Sequence, residues 1–422
     1  VVSKANTTTT VTSSLNPSDF GQSVTFTATV SAVAPATGTP TGTVTFLDGG
    51  SPIGTGTLSG GVATFTTSAL AAGNHTITTS YGGDGNFNGS TGSLTGNPQV
   101  VNKANTTTAV TASLNPSTFG QSVTFTATVS VVAPGSGTPS GTVTFLDGGN
   151  AIGTVTLSGG VATLTTSALS AGSHTITTNY GGDSSFNGST GSLTGNPQVV
   201  SKADTTTAVT STVNPSTFGQ SVTFTATVTA VAPGAGTPSG TVTFLDGGTA
   251  IGTGTLSGGV ATLATTALAP GSHTITTNYG GDGNFNGSTG SLTGNPQVVN
   301  KANTATAVTS SLNPSTFGQP VTLTATVSAV APGAGTATGT VTFLDGGSPI
   351  GTGTLNGGVA TLTTSAFLAG SHTITTSYGG DTDFNGSTGS LTGNPQLVDK
   401  ADTKAMVTGI TVNPVTNPSN SQ

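Results

Sequence analysis

The chain has 422 residues, with six lysines against thirteen aspartates, a net charge of -7, and no Arg, Glu, Cys or Trp. That balance leaves no basic patch to neutralise nucleic-acid phosphates, and the lack of cysteine excludes disulfides and thiolate metal sites. Charged residues make up only 5% of the chain, and the hydrophobic 32% alternates with Thr and Ser, never forming the run of about eighteen that a membrane helix needs.

A lysine recurs at Lys4, Lys103, Lys202, Lys301 and Lys400, each 99 residues after the last, and the sequence between them is nearly the same each time. Self-similarity at this period predicts four tandem domains, at 1–101, 102–200, 201–299 and 300–398, each long enough to enclose a core. Residues 399–422 open a fifth repeat: Ile410-Thr411-Val412-Asn413-Pro414 echoes Ser211-Thr212-Val213-Asn214-Pro215. They are expected to be the cut edge of a longer array or a strand that links to a neighbouring subunit. Val1-Val2-Ser3-Lys4-Ala5-Asn6 likewise echoes Val199-Val200-Ser201-Lys202-Ala203-Asp204, so Val1 is expected to continue a preceding segment.

In chain order, the first repeat opens with a strand over Thr7 to Ser14, which ends at the Asn16-Pro17-Ser18 turn. Ser23 to Val33 alternates strictly, with Val24, Phe26, Ala28 and Val30 on one face and Thr25, Thr27 and Thr29 on the other, the pattern of a half-buried strand. Thr43 to Leu47 and Ile53 to Leu58 flank Asp48-Gly49-Gly50, residues suited to the positive φ angles of a tight hairpin. Val62 to Leu70, His75 to Tyr81 and Ser93 to Val101 complete seven strands, with no helical period anywhere. Seven short strands with turn signals every eight to twelve residues predict an all-β, two-sheet antiparallel sandwich. Between Val101 and Thr106 lie only Asn102-Lys103-Ala104-Asn105, too few for a floppy tether, so each closing strand is expected to run almost straight into the next opening strand. Four such domains in line would make a rod of roughly 120 to 160 Å.

With Gly42-Thr43-Val44-Thr45-Phe46, Leu47-Asp48-Gly49, Gly61-Val62-Ala63-Thr64, Leu70-Ala71-Ala72-Gly73-Asn74-His75-Thr76-Ile77 and Tyr81-Gly82-Gly83-Asp84 followed by Asn88-Gly89-Ser90, the chain resembles the bacterial immunoglobulin-like repeats found in tandem in secreted and cell-surface proteins. The resemblance covers all four repeats and implies four tandem Ig-like sandwiches in an extracellular or cell-surface protein. It says little about function, because such repeats serve as spacers in adhesins, enzymes and fibres alike. Compared with an antibody domain, Ile77 stands in place of the second Cys and His75 in place of the corner Tyr, so apolar packing must replace the cross-link. Some related domains form a Lys–Asn isopeptide bond, but Lys103 and its equivalents lie in the junctions rather than in a strand core.

Two kinds of residue invite a functional reading. His75, His174, His273 and His372 are the only imidazoles, one per repeat, and with no second His, Cys or Glu alongside they read as corner residues bonded to a nearby carbonyl rather than as metal ligands. Asp84-Gly85-Asn86-Phe87-Asn88-Gly89 places oxygen-bearing side chains at the alternating positions that wrap calcium, and Asp282, Asp381 and Asp383 lie in the equivalent loops. No Glu closes such a loop, and the second repeat has Asp183-Ser184-Ser185. The alternative is a loop in which Asp caps turn amides and Phe87 plugs the end of the sandwich. No metal, cofactor or catalytic residue is assigned, since one His and scattered Asp supply neither a nucleophile–base pair nor paired carboxylates. Asn88-Gly89-Ser90 and its copies fit the N-glycosylation pattern.

Exposed sheet edges are usually protected by charge, and this chain has almost none to use. Self-association into fibres, or attachment as the stalk of a larger surface adhesin, is therefore expected. The alternative is an adhesive module whose loops bind a glycan or another cell-surface ligand.

Overall fold

The computed structural model describes residues 2–406, 408, 409, 411 and 412. The first repeat holds ten strands: β1 (Thr7–Ser13), β2 (Ser18–Asp19), β3 (Val24–Ala32), β4 (Thr43–Asp48), β5 (Ser51–Thr57), β6 (Val62–Thr67), β7 (Gly73–His75), β8 (Ile77–Tyr81), β9 (Ser90–Ser93) and β10 (Gln99–Asn102). They form one sheet in the order β1-β3-β6, a second in the order β5-β4-β8-β9, and a short third in the order β2-β10-β7. The same ten strands in the same sheet orders recur in the other three repeats, beginning at Thr106–Ala112, Thr205–Ser211 and Thr304–Ser310.

Alternation decides which face is inside. Along β3 the residues Val24, Phe26, Ala28 and Val30 are buried, while the threonines between them face outward. They meet Val44, Phe46, Ile77 and Tyr81 of the second sheet in one hydrophobic cluster, which Phe87 and Leu94 also join. The β4–β5 hairpin turns at Gly49 (φ 54°) and Gly50 (φ 83°), two successive positive φ angles that a side chain would resist.

The sandwich matches the sequence pattern, with three refinements. Ser18–Asp19 is a strand that a two-residue segment hides from periodicity, and it pairs in parallel with β10. His75 to Tyr81 is two strands: β7 pairs with β10 and β8 with β4, so the chain changes sheets at Thr76. Ser93 to Val101 is also two strands, because a turn around Asn97-Pro98 interrupts it. The Asn97 side chain holds this turn against β8 by accepting from the Ile77 amide (3.0 Å) and donating to the Ile77 carbonyl (3.0 Å).

By backbone proximity the chain forms two compact units, Val1–Thr205 with Ala230–Thr237 and Gly281–Asn286, and Thr206–Thr229 with Pro238–Gly280 and Gly287–Gln422. In the first unit β10 ends at Asn102 and the next strand begins at Thr106, giving the near-continuous connection expected. In the second, the last strand is Gln396–Asp399, and the described residues beyond it carry no strand. Val407, Ile410 and 413–422, which belong to the expected fifth repeat, lie outside the described residues.

Candidate functional site

In the aspartate loop, the Asp84 carboxylate is saturated by donors. Its Oδ1 accepts the amides of Asn86 (2.8 Å) and Phe87 (2.9 Å), and its Oδ2 accepts the amide and hydroxyl of Thr41 (both 2.8 Å). The Thr41 amide, then the Asn86 amide, hold the carboxyl well below its ordinary range. Asp183 repeats the arrangement with Ser140, Ser185 and Phe186, and Asp381 with Thr338, Asp383 and Phe384. Burial raises Asp381, but the Thr338 hydroxyl and the amides outweigh it, and its pKa falls to about 2. Asp282 accepts the amides of Asn284 and Phe285 in the same way. Asp383 stands where Asn86 and Ser185 stand, and its amide is one of the donors to Asp381.

This geometry is that of a capped turn. A cation at Asp84 would have to displace four N–H or O–H donors whose positive ends already face the oxygens. Among the described residues, no three His or Asp side chains converge as a metal site would require. The capped loop carries Phe87 into the core, and its copies carry Phe186, Phe285 and Phe384 to buried positions.

The histidine corner is tied at both nitrogens. His75 Nδ1 lies 2.6 Å from Asp48 Oδ2 and Nε2 lies 2.7 Å from the Ala71 carbonyl. His174, His273 and His372 make the same pair of contacts. Burial lowers the affinity of His75, His273 and His372 for a proton, but the carbonyl and then the aspartate outweigh it, and the pKa is raised in each. With an acceptor at each nitrogen, the ring has no free lone pair for a nucleophile or a metal. A cleft of about 300 Å³ beside His174 is lined by Asp147, Thr166, Leu169 and Ser170, yet His174 Nε2 is 2.8 Å from the Ser170 carbonyl and activates no hydroxyl there. The sequence reading found the carbonyl partner but missed Asp48, whose only signal is the constant 27-residue spacing of Asp and His in every repeat.

At the junction between successive repeats, sequence reasoning expected the short link but missed the phenylalanine that seats across it. In the first unit, the Phe20 ring meets Phe186 of the second repeat edge-on, with centroids 5.3 Å apart and an interplanar angle of 83°. Phe20 packs against the cores of both repeats. The Ser136 amide donates to the Phe20 carbonyl (3.1 Å) and its hydroxyl to the Gly21 carbonyl (2.7 Å). Gly21 has φ 76°, and a Cβ there would lie 2.3 Å from the Ser136 carbonyl oxygen, so the two backbones can meet only across glycine. The link itself is pinned: the Lys103 ammonium donates to the Asp183 carbonyl, and the Ala104 amide to the Ser185 carbonyl (3.0 Å). Phe119 and Phe285 repeat the ring contact at 5.2 Å, also in the first unit, and Phe218 and Phe384 repeat it at 5.5 Å in the second. The signal was a Phe-Gly-Gln after each early turn, outside any alternating run.

Residues 10–100, 110–199, 209–298 and 308–394 match the family described as bacterial Ig-like domain (group 3). The chain belongs to that family. No curated protein sequence matches it. Among solved structures, titin domains I67–I69 are similar at 14% identity over 69% of this chain and 99% of theirs, with a TM-score of 0.26. FdeC, an Escherichia coli adhesin, is similar at 16% identity over 70% and 97%, with a TM-score of 0.22. The three N-terminal domains of the bacteriophage RB49 outer capsid protein Hoc are similar at 16% identity over 68% and 98%, with a TM-score of 0.23. Among the described residues, no helix of the Ig-like array is long and apolar enough to cross a membrane.

Proposed function

We propose that the chain is a non-enzymatic structural element outside the cell, a stalk that carries another part of a surface protein or the repeating body of a fibre. The observation that supports this most is the junction, where a phenylalanine of one repeat seats on the core of the next and backbone hydrogen bonds flank it. Such a join couples neighbouring modules through an interface instead of leaving them on a loose tether. The capped aspartates and doubly bonded histidines favour a passive scaffold over a catalyst.

The adhesive alternative needs exposed aromatic rings to stack on sugar. Every tyrosine is buried, and Phe317 is the one exposed aromatic residue among those described. That weighs against a glycan site in each repeat.

Two measurements test the proposal. Pulling single chains from their ends should give four unfolding events, each releasing about 300 Å of chain. Antibody against the repeats should label intact source cells or their medium. Specific retention of the whole chain on a glycan array, or labelling only after lysis, would overturn the proposal.

A further inference from the structure

Within each repeat the chain enters and leaves along two segments that run side by side in the same direction. In the first repeat Ala5, Val11 and Ser18 of the opening segment lie opposite Phe87, Leu94 and Val101 of the closing one, and each pairing is parallel. A backbone bond joins the segments at every level: the Asn88 amide donates to the Ala5 carbonyl (2.7 Å), the Thr95 amide to the Val11 carbonyl (2.9 Å) and the Phe20 amide to the Asn102 carbonyl (2.8 Å). The second repeat pairs Ala104, Val110 and Ser117 with Phe186, Leu193 and Val200 in the same way, and the third and fourth repeat the scheme.

Side chains concentrate further bonds where the closing segment leaves the repeat. Asn16 Nδ2 donates to the Pro98 carbonyl (3.0 Å), and its Oδ1 accepts the Val100 amide (2.9 Å). Gln99 Nε2 donates to the Leu15 carbonyl (2.9 Å) from a side chain with no exposed surface, so water does not compete for that bond. The equivalent Asn115, Asn214 and Asn313 make the same two contacts, and Gln198, Gln297 and Gln396 are equally buried. Each segment is also anchored to a sheet, β1 to β3 along its whole length and β10 to β7.

Tension on a tandem chain pulls every opening segment back toward the preceding repeat and every closing segment on toward the next. Because the two segments are parallel, that tension slides one along the other, and the bonds between them bear it together instead of opening one after another. We infer that the contact of residues 15–20 with residues 98–102 is a mechanical clamp, the element that sets the force at which a repeat opens. The inference rests on the structural reading above and gives it a load-bearing site. The nearby Asn97 turn lies off this path: its side chain joins the closing segment to Ile77 of β8, and it is loaded only after the clamp has yielded.

Pulling single full-length chains at constant force separates the clamp from ordinary stability, because forced unfolding reads the unfolding rate and not the equilibrium. Asn16→Ala and Asn97→Ala each remove one asparagine that bonds a backbone amide and a backbone carbonyl of the first repeat. With Asn16→Ala, one of the four unfolding events should come on the order of tenfold sooner than the other three, since the lost bonds are broken at the unfolding step. With Asn97→Ala, the denaturant midpoint of that repeat should fall while its event under load keeps pace with the others. If Asn16→Ala costs the first repeat its fold and its event, Gln99→Met, which keeps the buried volume, is read against the same two outcomes. Four events at one rate in the clamp variant, or an equal acceleration by Asn97→Ala, would overturn the inference and place the resistance elsewhere in the sandwich. Neither result touches the extracellular reading, which antibody labelling decides; labelling only after lysis would remove that reading and leave the clamp standing.

Discussion

The histidine corner is the residue whose chemistry depends most on where the fold puts it. His75, His273 and His372 have raised pKa values because a carbonyl and an aspartate face the ring, and a group whose folded pKa exceeds its unfolded 6.5 stabilises the fold fully below that pH. The contribution disappears as pH rises through the folded value. Melting temperature should therefore fall as pH is raised from 6 to 8, and the slope should flatten in a chain carrying His75→Asn, His273→Asn and His372→Asn. An unchanged slope would mean that the imidazoles do not titrate differently on folding. Asp84 leads to a second expectation, since its oxygens already accept four donors. Calcium at millimolar concentration should leave the melting temperature unaltered, because a ligand that does not bind the native state cannot stabilise it. A rise in melting temperature with calcium would refute the capped-turn account.

At the scale of the strand, what was legible in the sequence was what local pattern alone determines. Val24 to Val30 alternates and is buried on one face; Gly49-Gly50 turns a hairpin because only glycine accepts two positive φ angles in succession at little cost. The sequence reading failed where a strand's partner, not its own composition, ends it. His75 to Tyr81 alternates well enough, yet its halves bond to different sheets. Ser93 to Val101 contained its own warning in Pro98, which a central strand does not tolerate, and the structure puts a turn there. The Asp48 partner of His75 was out of reach because only the pairing of β4 with β8, a non-local contact, brings residues 27 apart together. The turn at Asn97 yields a quantitative expectation. Asn97→Ala would strand the Ile77 amide, at a residue that is wholly buried, and should cost about 1–3 kcal/mol in denaturant unfolding. A loss below about 0.5 kcal/mol would mean that water replaces the side chain there.

At the scale of the array, stability depends on how far neighbours share it. Repeat proteins gain from each module's own core and from each interface, and here the interface is an aromatic pair with backbone hydrogen bonds around it. Phe218→Ala removes the ring that packs on the core of the fourth repeat without touching the alternating strands of either partner. Because Phe218 is half-buried, the expected loss is about 1–3 kcal/mol, less than the 3–5 of a fully enclosed Phe. If that contact couples the repeats, calorimetry of Phe218→Ala should show the unfolding transition broaden or split, with the van't Hoff enthalpy falling below the calorimetric one. The contact also carries no charge pair, so salt should barely change the coupling, in contrast to junctions held by ion pairs. A variant that keeps a single sharp transition, or a wild-type coupling that weakens with salt, would place the connection between repeats elsewhere, in the pinned Lys301 link and its bond to the Asp381 carbonyl.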